Sequence, residues 1–321
     1  MESDWMNNEL CEWIEPMYGV KIKAILPMRS VAGLVTDCGK WMCKRYDGHQ
    51  GVDTERLSAL AVVKSDLADA GFGVSYLENK EGNPFSVYRD TLMTMEPWVP
   101  GHHADFSSAV DRVQAVKAVA RLHQMRVRIP YTLQFTPTIF QKLSYRLQRA
   151  SDVVERGYLV GISDYEWDTW RRTAQQVLRH VTASELQARV TADRKKGILC
   201  HRDLAPHNIL VQAGRPAQLI DYDLAGLDSP VYDLYQLFGH MSFFIRSERA
   251  WQEPLLDAYA SIAYLSPEHR ELLSVLQAFP AQLLREIGDI PENRSQVMRH
   301  KASIRVRHAS RVEQRRVGIG S

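Results

Sequence analysis

The segment LCHRDLAPHNIL, residues 199–210, places His201, Arg202, Asp203 and Asn208 within eight positions between two short apolar runs. A further acid, Asp221, stands 13 residues beyond Asn208, where the run AQLI ends. Two strands joined by a tight turn would set Asn208 and Asp221 side by side. An amide carbonyl and a carboxylate are hard oxygen ligands, and together they suit magnesium, which fills its remaining positions with water or substrate phosphates. Asp203 near such a metal is placed to take, or to orient, the proton of an incoming hydroxyl. Phosphoryl transfer needs this layout: positioned charge rather than covalent chemistry. A histidine-arginine-aspartate run by itself suits many exposed turns. The asparagine at fixed spacing and the acid closing a strand give it chemical meaning.

These residues need strands to hold them. GILC, NILVQ and AQLIDYD read as three short strands around the polar segment, with a turn at AGRP. Upstream, VKIKAIL, SVAGLVTD and KWMCKRY are rich in β-branched and aromatic residues, and DCGK between the last two is a turn with Gly39 as its permissive position. The segment VDTERLSALAVVKSDLADAG carries Leu57, Leu60, Ala61, Val63 and Leu67 at helical spacing and stops at Gly71. GVSYLENKEGNPFSVYRDTLMTMEPWV reads as a hairpin turning at KEGNP. The prolines and glycine of EPWVPGHHADF mark a linker. A helix follows over 105–125, with an apolar stripe of Val110, Val113, Val116 and Ala120, and residues 131–196 and those from VYDLYQLFGHM onward are mostly helical. The expected segments are 1–97, β-rich with one helix; 98–290, helical and carrying the polar loop; and a basic helix or tail, 291–321.

Composition narrows the function. The 321 residues are 45% hydrophobic and 24% charged with a formal net charge of +2, so no strong field points to nucleic acid or an anionic surface. Cys11, Cys38, Cys43 and Cys200 form no C-x-x-C pair and no zinc spacing, which fits reduced thiols. MESDWMNNELCEW lacks a signal pattern, and no apolar run reaches the ~18–20 residues of a membrane span. A cytoplasmic protein with no membrane partner is expected.

HRDLAPHN matches the protein-kinase catalytic-loop pattern H-R-D-x-x-x-x-N, and IDYD stands where protein kinases carry the metal-binding D-F-G. The chain resembles the protein-kinase-like superfamily. Within it, the chain is similar to the aminoglycoside phosphotransferase and choline kinase branch, and there to CotS-type spore-coat kinase-like proteins. CGKWMCKRY, MEPWVPG, VARLHQ and SPVYDLYQLF add support, and the resemblance spans about Tyr18 to Phe244. It implies an α+β, bilobal fold with a small antiparallel-β N-lobe and a larger, mostly helical C-lobe. It also implies ATP and Mg2+ as cofactors and phosphate transfer to a hydroxyl of a small molecule. Asp203 would be the catalytic residue, with His201 supporting the loop; Asn208 and Asp221 would hold the metal. Lys44 would contact the ATP phosphates, paired with an acid of the following helix, Glu55 or its rival Asp66. Glu96 and Trp98 would bind nucleotide at the hinge, and Asp233 would hold the catalytic-loop backbone.

The departures from the pattern also carry information. LPMRSVAGLV has one glycine, Gly33, where protein kinases have several, and Asp221 is followed by Tyr222 and Asp223 rather than by Phe and Gly. For Asp223 a second metal contact and a loop-stabilising hydrogen bond both stay open. No long activation segment separates IDYD from the next helix, so no platform for a protein substrate is expected. Asp164, Glu166 and Asp168 with Tyr165, Trp167 and Trp170 are candidates to receive a cationic or hydroxylated acceptor; an ordinary amphipathic helix is the simpler reading. His123 and His207 read as structural. The basic tail could touch nucleic acid, though a final helix with a charged outer face is more ordinary. The alternative function is a kinase-like scaffold with little turnover, whose partners would be spore-coat proteins.

Overall fold

A computed structural model describes residues 7–28, 31–46, 52–183, 185–245, 251–290 and 295–317. The chain divides into two compact units. One holds residues up to His103 with Met125–Phe135 and His207–Gly226; the other holds Ala104–Gln124, Thr136–Pro206 and everything from Leu227. The polar segment read from the sequence is thus shared, with His201 and Asp203 in the second unit and Asn208 and Asp221 in the first.

The first unit is built on a five-stranded antiparallel sheet, β1 (Ile22–Pro27), β2 (Val31–Thr36), β3 (Gly39–Tyr46), β4 (Ser86–Tyr88) and β5 (Thr91–Pro97), in the order β1-β2-β3-β5-β4. Register sorts its residues onto two faces. Ala32 pairs with Cys43 and Cys43 with Met95, while Lys44 lies between Val31 and Thr94, and Met42 between Gly33 and Glu96. Side chains alternate along a strand. Ala32, Leu34, Cys43, Met93 and Met95 therefore share one face, where they form a buried core with Leu10 and Ile14. The other face receives Lys44, Tyr46, Thr94 and Glu96.

Leu10 and Ile14 belong to α1 (Asn8–Tyr18), a helix not read from the sequence. Its apolar signal is sparse, but its ends are well marked: the Asn7 side chain accepts from the Leu10 amide, and Gly19 closes it at φ 69°. The β2–β3 turn falls at Asp37–Cys38, with Gly39 at φ 131°. The expected hairpin turn at KEGNP is a correction. Residues 73–79 form no strand, and the β4–β5 turn falls at Arg89 and Asp90, both at positive φ. KEGN is instead a loop wrapped on Asn79, whose side-chain oxygen accepts from the Glu81 and Asn83 amides. The helix α2 (Thr54–Asp69) is capped by Asp53 and packs against α4 (Tyr131–Gln134). A second, three-stranded sheet joins β6 (His102–His103), β8 (Ile209–Val211) and β9 (Gln218–Leu219).

The second unit is helical: α3 (Ala109–Gln124), α5 (Ile139–Glu155), α6 (Asp164–Ala183), α7 (Glu185–Lys195), α8 (Pro230–Met241), α9 (Gln252–Ala260), α10 (Pro267–Leu276), α11 (Ala281–Gly288) and α12 (Gln296–Val317), with the short strand β7 (Leu199–Cys200). Helix α3 packs on α8 and α9, and α11 lies against α5 and α12. Val110 of the expected α3 stripe is exposed; the buried face runs instead through Ala115, Val116, Val119, Ala120 and Leu122. The tail is docked. Ala302, Val306, Ala309 and Val312 are buried at helical spacing, leaving Arg299, Lys301, Arg305, Arg307, Arg311 and Arg315 as its outer face. Arg294 and the Arg316 side chain lie outside the described residues.

One buried acid ties several of these helices together. Asp193 on α7 accepts from Ser229 Oγ at 2.7 Å, from His269 Nε2 at 2.8 Å and from Arg189. Burial opposes its ionisation, but these hydrogen bonds prevail and hold the carboxyl below its usual range. Removing one partner of a buried, hydrogen-bonded charge costs about 3–5 kcal/mol. Asp193→Ala is expected to lower the unfolding free energy by about that much, measured by urea denaturation.

Candidate active site

The polar face of the first unit's sheet centres on Lys44. Its ammonium lies 2.7 Å from Asp221 Oδ1 and 2.6 Å from Asp223 Oδ2, bringing together residues 177 positions apart for the first pair. Burial alone would strip the proton from such a lysine. The carboxylates of Asp223 and Asp221 outweigh it and push the pKa above its ordinary value. Asp223 is itself held. Tyr46 donates its hydroxyl to Asp223 Oδ1 at 3.1 Å, and Arg56 of α2 donates to the backbone carbonyls of Asp223 and Ala225 at 2.8 and 2.9 Å.

The β8–β9 pairing supplies the rest. Ile209 faces Leu219, and the Ile220 amide donates to the Asn208 carbonyl at 3.0 Å, so Asn208 lies alongside the residue preceding Asp221. Asp221 itself adopts φ 66°, a left-handed conformation that aspartate tolerates better than most residues. Asn208 is buried. One amide and two carboxylates within this unit make a hard oxygen donor set that fits a divalent cation of the magnesium type.

The helix partner expected for Lys44 is a correction. Glu55 accepts from Thr132 Oγ1 at 2.5 Å, and Asp66 is engaged by the guanidinium and backbone amide of Arg128. Both acids lie on α2 turned toward the 125–135 segment, whereas the face toward the sheet carries cations. Lys64, 3% exposed, pairs with Glu96 Oε2 at 2.6 Å and lies over the Tyr76 ring. Glu96, expected at the nucleotide, thus commits its carboxylate to α2. Trp98 packs against Gly33: a Cβ there would meet the Trp98 ring at 3.0 Å, which accounts for the single glycine of β2.

In the second unit the catalytic-type loop is pinned from beneath. Asp233 on α8, fully buried, accepts the His201 amide at 2.7 Å and the Arg202 amide at 2.8 Å; its Oδ2 also meets His123 Nε2 at 3.1 Å. Burial works against its ionisation, and the His123 hydrogen bond with the facing histidines and the Arg202 amide holds its pKa down. His123 Nδ1 meets the Tyr259 hydroxyl at 2.7 Å. His123, Cys200 and Asp233 cluster closely enough to suggest a metal site, but each side chain already has a hydrogen-bond partner. His201 Nδ1 accepts the Asp203 amide at 3.3 Å, which leaves Asp203 on a braced turn. His207 sits in a short 3-10 turn, Pro206–Asn208.

The acidic-aromatic segment 164–170 forms the first part of the amphipathic helix α6. Trp167 and Trp170 are buried in the core, Glu166 caps the start of α6 through Ser163, and Asp168 pairs with Arg171. The amphipathic helix accounts for it.

Comparison with known proteins fits this layout. Residues 66–272, well over half of the chain, match the model of the phosphotransferase enzyme family, APH. The chain belongs to this family. The solved aminoglycoside phosphotransferase of Alicyclobacillus acidocaldarius is similar over 93% of this chain and 91% of its own, at 14% identity and a TM-score of 0.73. Spectinomycin phosphotransferase, solved with ADP and spectinomycin, is similar over 96% and 97% at 16% identity and a TM-score of 0.62. The choline kinase of Streptococcus pneumoniae is similar over 95% and 96% at 13% identity and a TM-score of 0.57. The fold is therefore kinase-like, an α+β arrangement with an antiparallel five-stranded sheet. No described helix is long and apolar enough to cross a membrane.

Several buried polar residues were not read from the sequence. Tyr46 and Lys64 reveal themselves only through the register of β3 and the face of α2. Asp228 is another. It stands two residues before α8, is fully buried, and has one oxygen accepting the Ser229 amide and the other without any hydrogen-bond partner. Burial, partly offset by Arg202, raises its pKa from 3.8 to about 6. Between those values only the folded state keeps the proton, so this group's contribution to stability falls as pH rises through the window. The shift corresponds to about 3 kcal/mol. Asp228→Asn is expected to remove this dependence and to be the more stable protein at pH 7, as read from urea melts of both proteins at pH 4 and pH 7.

Proposed function

We propose that the protein is an ATP- and Mg2+-dependent phosphotransferase that acts on a hydroxyl of a small molecule. The observation that carries the reading is the convergence of Lys44, Asp221 and Asp223 on one sheet face, with Asn208 brought alongside by the β8–β9 pairing. Opposite charges held at one place are what a triphosphate and its metal require there. Bound Mg–ATP would supply the transferable γ-phosphoryl group. Lys44 would neutralise phosphate oxygens, and Asn208 and Asp221 would hold the metal. In the second unit Asp203, on the loop fixed by Asp233 and His201, would orient the acceptor hydroxyl and take its proton as the new P–O bond forms and ADP leaves. Family membership supports the reaction class. The spectinomycin enzyme solved with ADP, and an amicoumacin kinase solved with AMP-PNP and Ca2+, support a nucleotide and a divalent metal.

ATP with Mg2+ is expected to raise the melting temperature, and Asp203→Asn to retain that shift while losing turnover by at least about 100-fold. No shift with ATP and Mg2+ would sink the proposal. A shift with no turnover over a broad panel of hydroxylated metabolites would favour the binding-only role of a spore-coat type protein.

A second comparison isolates the acid that serves Lys44. Asp223→Asn is expected to weaken nucleotide binding about tenfold, whereas Glu55→Gln leaves it within about twofold. Equilibrium titration with a fluorescent ATP analogue reads both.

A further inference from the structure

The second unit holds a group of cations that the phosphotransferase reading does not use. Lys142 and Arg146 project from α5, one turn apart, and Arg202 comes from the loop beside Asp203. The Lys142 ammonium and the Arg202 guanidinium each lie 5.3 Å from the centre of the Tyr232 ring on α8. Arg202 is buried and donates to the Pro137 carbonyl, and its Nε has no hydrogen-bond partner. The acids facing this group are Asp228 and Asp203. Asp228 is buried with a pKa raised to about 6, so it offsets little of the positive charge in acid solution and has an unpaired oxygen throughout.

Lys142 is the unengaged member. It is half-buried, as is Arg146, but its ammonium has no hydrogen bond or ion pair with any described residue and lies over the Tyr232 ring, whereas Arg146 donates to the Ala281 carbonyl. Burial, then the charges of Arg202 and Arg146, lower its pKa to about 8, against the pull of Asp228 and Asp203. No described carboxylate lies within ion-pair distance of this ammonium. Arg202, which shares the Tyr232 ring with Lys142, directly precedes Asp203 in the chain, so Lys142 lies in the neighbourhood of the residue assigned to the acceptor hydroxyl.

We propose that Lys142 receives an anionic group, a carboxylate or phosphate, of the hydroxylated acceptor whose hydroxyl is held at Asp203. This rests on the phosphotransferase reading and narrows its substrate class. It sets the protein apart from neighbours named for amine substrates, such as choline kinase and an aminopropanol kinase. An anion beside Lys142 would restore the charge balance that the three cations leave open.

The test is calorimetric binding of size-matched triplets that differ in charge to the full chain and to Lys142→Met: glycerate, glycerol and 2-amino-1,3-propanediol; gluconate, glucitol and glucamine. The anionic member of at least one triplet is expected to bind about tenfold more tightly than its neutral and cationic counterparts. Lys142→Met should abolish that preference, and Lys142→Arg should keep most of it. Equal binding across both triplets overturns the inference, as does a preference that survives Lys142→Met, or the failure of both anions to bind. Melting with ATP and Mg2+, run on the same samples, reads the phosphotransferase proposal separately. A lost ATP shift with retained anion preference would refute that proposal and leave the Lys142 site standing.

Discussion

A lysine ammonium buried between two carboxylates is the constraint on which the first unit depends. An unpaired charge in that position would cost several kcal/mol, and two unpaired carboxylates at the same place would repel each other. The pairing therefore requires two distant pieces of chain to meet, under three conditions. β3 must present Lys44 on the face away from the Leu10–Ile14 core, the β8–β9 hairpin must end at the sheet, and Asp221 must take a left-handed turn that sets both its own carboxylate and that of Asp223 on the ammonium. This accounts for residues 207–226 belonging to the same compact unit as a sheet formed more than a hundred residues earlier.

The polarity of α2 follows from the same constraint. Once Asp223 and Asp221 satisfy Lys44, an acid on the inner face of α2 would add a third negative charge to a site that already holds two. The helix instead contributes positive groups: Arg56 to the backbone carbonyls that shape the aspartate turn, and Lys64 to Glu96. Its acids lie elsewhere, on Thr132 and Arg128. The helix thus acts on the lysine through the loop that holds Lys44's partners. Tyr46 serves the same end, since its hydroxyl fixes the Asp223 oxygen not used by Lys44.

This division explains what the sequence revealed. The strands β1, β2, β3 and β5, the helix α2 and the loop-and-strand group from 199 to 221 were legible because each carries a local signal: β-branched runs, a turn glycine, or fixed spacing of polar residues. The helix α1 was not, because its core contribution is two residues four apart in an acidic segment. The hairpin at Arg89–Asp90 was missed because neither residue is the glycine that positive φ suggests, while KEGNP carries all the usual turn residues and spends them on a loop folded around Asn79. Lys44's partner was misassigned for a different reason. Helix, strand and spacing are local properties, but which acid reaches a lysine depends on the rotation of α2 about its own axis, and the weak amphipathicity of TERLSALAVVKSDLAD leaves that undetermined.

In the second unit a comparable argument explains the strained backbone at the loop. Arg202 sits at φ 69°, in a left-handed conformation that costs a non-glycine residue of order 1 kcal/mol. The reason lies in Asp233. Its two oxygens accept the amides of two consecutive residues, His201 and Arg202, and neighbouring amides converge on one carboxylate only when the chain between them turns sharply. Each of these charge-assisted hydrogen bonds is worth more than a neutral one, so together they offset the strain. A glycine at position 202 would relieve the backbone. It would also remove the guanidinium that reaches the Pro137 carbonyl and the Tyr232 ring, and with it the link between the loop and the start of α5. The arginine is thus retained at a conformationally costly position because its side chain connects the Asp203 turn to the helix that carries Lys142.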